Sequence, residues 1–443
     1  MAKPAVSVTP YWELTFDADG DPDAGRRDRL LAGVAQHDVR DLIVFAHGWN
    51  NDRSGATRLY DGFFEPIPRL APKARIGYVG VIWPSMRFSD EPIPDFPRAV
   101  AAEMPRRPVL DKDTRHALLE TFPGRATVID RIARLLDQQP REDAELEEFG
   151  RLVRLLVDVV PPGPQALFAA DTLCEGVPQD SPDMFAGSTA ALCEEFAQAL
   201  THLESPDAVP GAGAASFSLP NPWEGAHELL RQATYYAMKR RAGTVGERGL
   251  GRVVGQLAAR EPGVRVHLVG HSFGARLVSF ALRGLPKGVR TVKSVTLLQG
   301  AFSHYAFASR LPHDARAGGV LEGQHNRIDG PLVCCHSRHD SALSTMYPLA
   351  SRMAGDARGI AASAIGRMLG DKWGAMGHDG VQAVPGTRSL KLADALGAAL
   401  PASGCVNVDA AAVVRRGGPP AGAHSDIVHR ELAQVVLAAG RIK

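Results

Sequence analysis

The sequence predicts an α/β protein: a mostly parallel central sheet with helices on both faces, interrupted once by an inserted helical cap. Three observations carry that expectation. Short continuous apolar runs recur at Asp41 to Ala46 (DLIVFA), Arg75 to Trp83 (RIGYVGVIW), Val292 to Leu298 (VKSVTLL) and Pro331 to Cys335 (PLVCC), the pattern of parallel strands covered on both faces. The stretch Val264 to Leu285, VRVHLVGHSFGARLVSFALRGL, runs from β-branched residues through Gly270, His271, Ser272, Phe273 and Gly274 into apolar positions at Leu277, Phe280, Ala281 and Gly284. That is the i, i+3, i+4, i+7 spacing of a helix face, so the stretch reads as strand, sharp turn, helix. Between the strand ending at Trp83 and this one lies an interval too long for a crossover connection, which must hold structure of its own. The expected organisation is a core built from residues 1–86 and 225–443, with residues 87–224 inserted as the cap.

Taken in order, Tyr11 to Phe16 alternates as an edge strand does and stops at the turn cluster Asp17, Asp19, Gly20. Asp28 to Ala35 reads as a short helix ahead of the Asp41 strand, which ends in His47, Gly48, Trp49, Asn50 and Asn51. The Arg75 strand is closed by Pro84 and Ser85. The insertion opens with the proline-studded FSDEPIPDFPRAV and carries helical patterns at Asp113 to Phe122, Thr127 to Gln138, Asp143 to Val159 and Met184 to Leu203. Glu204 to Glu224, rich in Pro, Gly and Ala, reads as a connecting loop. The cap helices are expected above the C-terminal ends of the strands, where ligands bind in such sheets.

Ala226 to Arg241 suits a helix whose basic run Lys239, Arg240, Arg241 reads as a solvated end. Gly249 to Arg260 is a further helix feeding through Glu261, Pro262 and Gly263 into the Val264 stretch. The glycines at 243, 246, 249 and 251 have no strand before them and no Gly-Lys-Ser/Thr after them, so they read as a glycine-rich approach to a helix and not a phosphate loop. Beyond Cys335 come His336, Ser337, Arg338, His339 and Asp340, a helical pattern over Ser341 to Met353, and a second surface insertion, GDKWGAMGHDGVQAVPG. A short last strand at Val406 to Asp409, a Gly/Pro loop from Arg415 to Gly422 that delivers His424, and a closing helix over Ser425 to Ala439 complete the chain.

Bulk properties exclude several classes. Lys and Arg number 50 against 49 Asp and Glu, a formal charge of +1 over 443 residues, which makes no global electrostatic case for nucleic acid or an anionic membrane surface. The five cysteines (Cys174, Cys193, Cys334, Cys335, Cys405) are odd in number and form no C-x-x-C pair, as expected of small core residues in a reducing compartment. No stretch has the length of a signal-peptide core or of a membrane span. A soluble, cytoplasmic protein is expected, with its oligomeric state open.

The chemistry is carried by three strand ends. G-x-S-x-G between a strand and a helix is a nucleophile elbow, which lifts the serine hydroxyl above the sheet edge in a strained backbone conformation; Ser272 is the candidate nucleophile. Such a serine needs a base to take its proton and a carboxylate to orient that base. Asp340 lies just past the strand at Pro331, and His424 lies on the loop after the last strand, giving the order Ser, Asp, His.

On these residues, and on the H-G-W-N-N tail of the Asp41 strand, the chain resembles the α/β-hydrolase superfamily, and within it the bacterial hydrolases that carry an H-G-W-N-N oxyanion strand. The resemblance covers Tyr11 to Ser85 and Ala226 to Lys443, and not the helical cap. It implies the α/β-hydrolase fold, no metal and no cofactor. It also implies an oxyanion hole formed by the backbone N–H groups of Trp49 and Phe273, with His47, Gly48, Asn50 and His271 around the substrate. The expected activity is hydrolysis of a small-molecule or lipid ester through an acyl-enzyme on Ser272, carboxylesterase or lipase-like.

Each role has a rival. Asp409, at the end of the last strand, is a second candidate acid, and His429, a turn into the closing helix, a second candidate base. His271, inside the elbow, suits packing against the sheet top better than catalysis. His336 and His339 with Asp340, and His424 with Asp426 and His429, have spacings reminiscent of metal ligands without forming a recognised set. The competing class is a non-catalytic α/β-hydrolase scaffold acting as a binding or regulatory module, which would have no use for a strained elbow. Phosphoryl transfer lacks both a glycine-rich loop after a strand and the accompanying Lys and Asp motifs. Ester against amide, and acyl chain length, stay open.

Overall fold

The computed structural model describes residues 6–49, 51–86, 110–157, 167–174, 188–204, 221–340, 343, 374–417 and 422–443. Its centre is an eight-stranded sheet in the order β1-β3-β2-β5-β6-β8-β10-β9, every pairing parallel. The strands are β1 (Tyr11–Thr15), β2 (Asp41–Ala46), β3 (Ile76–Ile82), β5 (Arg265–His271), β6 (Val292–Leu298), β8 (Pro331–His336), β9 (Arg388–Lys391) and β10 (Gly404–Asp409). A separate antiparallel pair joins β4 (Thr172–Cys174) to β7 (Ala317–Gly319).

The continuous apolar runs are explained by burial on both faces. On β2, Leu42, Val44 and Ala46 enter one buried cluster while Ile43 and Phe45 enter the other; on β8, Leu332 and Cys334 divide from Val333 and Cys335 in the same way. Period-2 alternation of side chains then sends successive apolar residues into the two cores in turn. β1 lies at one edge, as its alternation predicts. The other edge is β9, RSLK, whose side chains are mostly exposed, so no apolar run marks it and the β10 strand is interior. Because β3 lies to one side of β2 and β5 to the other, the strand order reverses between β2 and β5, and the crevice beyond their C-terminal ends is the expected ligand position.

Helices cover both faces. α1 (Ala24–Gln36) begins at Asp23, whose side chain accepts from the Arg26 N–H. α2 (Arg53–Phe64), not expected from the turn-like WNNDRSG composition, starts where Asp52 accepts from the Gly55 N–H and buries Ala56, Leu59, Tyr60, Phe63 and Phe64; α3 (Ile67–Leu70) follows. The expected insertion helices form as α4 (Lys112–Thr121), α5 (Ala126–Gln138), α6 (Asp143–Leu156) and α7 (Thr189–Glu204). Leu118, Ile129, Phe149, Leu156 and Phe196 of these helices belong to the same buried cluster as Val44, Val79 and Val266 of the sheet. The described part of the insertion thus shares its core with one sheet face.

α8 (Pro222–Thr244) starts earlier than expected, with Asn221 accepting from the Trp223 N–H and Pro222 in the first turn. It continues through a π-helical turn (Val245–Leu250) into α9 (Gly251–Arg260). The glycines of this stretch are therefore a packing seam inside a helix and not an approach to one: a Cβ on Gly246 would fall 2.2 Å from the Leu277 carbonyl of α10 (Phe273–Gly284). Nor is the basic run at 239–241 a solvated end. Lys239 pairs with Asp171 at 2.7 Å, and the guanidinium of Arg241 donates to the carbonyls of Pro84 (2.9 Å) and Thr121 (3.1 Å). Asp171 also pairs with the fully buried Arg276 of α10, whose other N–H groups reach the carbonyls of Phe168 (2.8 Å), Ala170 (2.7 Å) and Lys239 (3.1 Å).

The expected second surface insertion is not a surface feature where it is described. Ala375, Met376 and Val381 are buried, and α11 (Met376–Asp379) is stitched to the end of β6 by the Gly377 N–H to the Gly300 carbonyl, 2.9 Å. The helical pattern at Ser341 to Met353 lies outside the described residues apart from Leu343. After α12 (Leu392–Gly397) and β10, the closing helix α13 (Arg430–Gly440) begins later than expected, with His429 at its N-cap. Among the described residues no helix is long and apolar enough to cross a membrane.

Candidate active site

β5 ends at His271, and Ser272 follows at φ 55°, ψ −121°, a region that costs a non-glycine residue and persists only where surrounding contacts enforce it. Those contacts are present. The Ser272 N–H donates to the Leu298 carbonyl at 3.1 Å, and the Ser272 carbonyl accepts from Ala275 (3.1 Å) and Ala301 (3.3 Å). Two residues on, a Cβ at Gly274 would fall 1.9 Å from the Ala46 carbonyl, so α10 reaches β2 only through a glycine.

Ser272 Oγ lies 2.9 Å from His424 Nε2, and His424 Nδ1 lies 2.8 Å from Asp340 Oδ2. Asp340 is fully buried. Its Oδ1 accepts from the Leu343 N–H at 3.0 Å, and its Oδ2 accepts a second hydrogen bond from Gln299 Nε2 at 3.0 Å. The turn that bears Asp340 is held by Ser337, whose hydroxyl donates to the Val414 carbonyl at 2.7 Å and whose N–H donates to the Gly377 carbonyl at 3.0 Å. The loop bearing His424 is tied to the same turn by the Ala423 N–H to the His339 carbonyl, 2.9 Å. Ser272, Asp340 and His424, expected from three separate strand ends, are thus brought into one line of hydrogen bonds.

The His47 to Trp49 turn lies against the serine: a Cβ on Gly48 would sit 2.6 Å from Ser272 Cβ. Phe273 is the first residue of α10, where the backbone N–H has no acceptor inside the helix. The Trp49 ring meets Tyr235 of α8 edge-on at 5.5 Å and Phe273 at 6.4 Å, and Tyr235 lies 4.6 Å from Phe273. These three rings form one aromatic cluster that includes the residue after the serine. Tyr235 carries no motif; only its place on α8 brings it here.

Two residues expected around the substrate are turned inward. His47 is 1% exposed: its N–H donates to Tyr60 Oη (3.1 Å), its carbonyl accepts from Trp83 Nε1 (2.9 Å), and its ring stacks on Trp83 at 5.6 Å. His271 is 4% exposed, with Nε2 donating to the His424 carbonyl at 2.9 Å. Burial pushes the His47 ring down to about 4 and the His271 ring down to about 3, so both are neutral near pH 7 and build the frame of the site. Asn50 lies outside the described residues.

The rivals are engaged elsewhere. Asp409 accepts from the Ala411 N–H of its own turn at 3.0 Å. His429 is not a turn into a helix but at its cap, paired with Asp426 at 2.9 Å, and the other Asp426 oxygen takes the N–H groups of Arg415 (2.9 Å) and Arg416 (2.7 Å). His336 donates from Nδ1 to the His378 carbonyl at 3.2 Å. Among the described residues no group of three or more His, Cys, Asp or Glu is arranged to hold a metal ion.

Two polar clusters go beyond the sequence expectations. Asp379 bridges His378 (2.7 Å) and His304 (3.2 Å); burial raises its pKa, but the hydrogen bonds from His304 and His378 outweigh this and hold it below the usual carboxylate range. At the opposite, N-terminal end of the sheet, His267 lies 2.9 Å from both Ser294 Oγ and Asp41 Oδ1. All three of those side chains are buried, Gly440 lies against His267, and the serine is an ordinary strand residue, so the same three residue types without a strained turn make a structural clasp. Comparison with family models, with curated proteins and with solved structures finds no match. What fold and site define is an α/β protein with a parallel sheet and a Ser-His-Asp line at its C-terminal edge.

Proposed function

We propose that this chain is a serine hydrolase of the α/β-hydrolase superfamily that cleaves an ester, carboxylesterase or lipase-like, through an acyl-enzyme on Ser272. The observation that carries the reading is Ser272 at φ 55° with its hydroxyl 2.9 Å from His424 Nε2, while His424 Nδ1 lies 2.8 Å from Asp340. His424 takes the Ser272 proton as Oγ attacks the ester carbonyl, and Asp340 holds the tautomer and stabilises the imidazolium. The N–H groups of Phe273 and Trp49 receive the developing oxyanion. The imidazolium returns its proton to the departing alkoxide, and a water activated by the same ring releases the acid.

The Trp49, Tyr235 and Phe273 cluster supports an apolar acyl group over a charged one, since aromatic faces desolvate hydrocarbon without leaving buried charge unpaired. The insertion bears on that aromatic cluster through α8, which carries Tyr235 and packs against α6 and α7. The test is labelling by a fluorophosphonate probe together with hydrolysis of p-nitrophenyl esters of graded length. Ser272→Ala and His424→Ala are each expected to abolish labelling and lower kcat by up to about 10⁶-fold, Ser272→Ala with an unchanged melting temperature. Near-wild-type turnover in Ser272→Ala would remove the serine mechanism.

A further inference from the structure

His271 takes no part in the reaction just described, yet it touches the base. Its ring is buried, its Nε2 lies 2.9 Å from the His424 carbonyl oxygen, and the two imidazoles lie 5.1 Å apart, inclined at 42°. A carbonyl can only accept, so Nε2 carries the hydrogen and donates. Consecutive residues of the elbow therefore hold one residue at two points: His271 grips the His424 backbone oxygen, and Ser272 Oγ meets the His424 ring at 2.9 Å.

The loop gives that grip a purpose. Two residues before His424 stands Gly422, which sits at φ 58°, and glycine adds little conformational bias of its own. The backbone tether just before His424 is the Ala423 N–H to the His339 carbonyl, which fixes the peptide toward the Asp340 turn, while His271 holds the His424 carbonyl from the elbow. Movement of the His424 peptide away from the elbow would lengthen the His271 bond and carry Nε2 away from Oγ.

We propose that His271 is a positioning residue that holds His424 within reach of Ser272 through its backbone carbonyl; this rests on the serine-hydrolase reading. The neutrality of the ring is consistent with the role, because a second positive charge would oppose the imidazolium that forms on His424. Among the described residues His271 Nδ1 is buried without a hydrogen-bond partner, beside the place where a Cβ on Gly48 would lie at 3.1 Å, so none of them stabilises protonation there.

The test compares His271→Gln, whose amide keeps a donor near the Nε2 position, with His271→Phe, which keeps a ring and removes the donor. The Phe variant is expected to lose about 10²-fold in kcat, the scale of a 1 Å misplacement, with KM within about twofold and probe labelling slowed in step. Gln is expected to recover to within about tenfold of wild type. Equal losses in both variants, or a Phe variant as fast as wild type, overturn the proposal. A readout independent of turnover is the Nδ1 proton of His424 in protein labelled with ¹⁵N-histidine: a slowly exchanging downfield signal is expected in wild type and the Gln variant and lost to exchange in the Phe variant. Were the wild type inert toward probe and esters, the hydrolase reading would fall by itself, and this signal would still decide the positioning role, its persistence in the Phe variant overturning it. Should the Phe variant fail to fold, the Gln variant decides, a loss there of the downfield signal or of more than about tenfold in kcat overturning the proposal.

Discussion

Gln299 and His424 share one oxygen of Asp340: Oδ2 accepts from Gln299 Nε2 at 3.0 Å and faces His424 Nδ1 at 2.8 Å. Gln299 follows the last residue of β6 at φ 47°, and its amide nitrogen also reaches the Gly377 carbonyl at 3.0 Å. It therefore links the ends of β6 and β8 and the α11 turn at the carboxylate that orients the base.

Gln299→Ala is expected to lower kcat about tenfold, because loss of one hydrogen bond to a charged group costs about 1.5–3 kcal/mol and only part of that reaches the transition state. Gln299→Glu should be worse, since a carboxylate there faces Asp340 with the same charge and no donor. Steady-state kinetics on a p-nitrophenyl ester decide it, and a Glu variant as active as wild type would show that Asp340 does not depend on this partner.

Asp340→Asn is expected to reduce kcat by about 10⁴-fold, the scale of losing the correct imidazole tautomer. Asp409→Asn should stay within about threefold of wild type, because Asp409 serves its own turn through the Ala411 N–H and surface changes of that kind carry small free energies. The reverse ranking would move the acid to Asp409.

Folding stability is expected to fall as pH drops from about 6.5 toward 4. His47 and His271 are held neutral by burial, down to about 4 and about 3, whereas in the unfolded chain each takes up a proton near 6.5. Within that window the unfolded state binds more protons, so stability is full above it and declines by up to about 1.4 kcal/mol per pH unit for each ring. Guanidinium melts across the window should show the slope, and His271→Gln should flatten it. A slope unchanged in that variant would mean His271 is not held neutral.

Tyr235→Ala is expected to alter acyl preference while sparing the chemistry, since its ring contacts Trp49 and Phe273. Removing such a ring should change the ratio of kcat/KM between short and long esters by about 10-fold or more, the range of hydrophobic-pocket discrimination, with probe labelling of Ser272 retained. An unchanged ratio would place the acyl pocket elsewhere.

Much of this molecule is legible in local pattern. β2 and β6 occupy the runs predicted for them, because burial on both faces writes itself into consecutive apolar residues. Ser272, Asp340 and His424 stand at chain positions that the elbow and the strand ends mark in advance. Other features leave no such mark. β9 is an exposed edge held by backbone pairing to β10, so its side chains carry no period, and α2 hides its apolar face behind a turn-rich start.

Local pattern marks the elements with a repeating environment and the residue types at the ends of strands. Which ends meet depends on contacts between distant segments. His424 reaches Ser272 across 152 positions, and Gln299 reaches Asp340 across 41. The inward turn of His47 and His271, the passing of the glycine seam against α10, and the Arg276 and Lys239 pairing with Asp171 likewise depend on neighbours from distant segments. A side chain's period reports which face it is on, whereas its hydrogen-bond partner is set by strand order and register, and those follow from how the whole sheet closes its two cores.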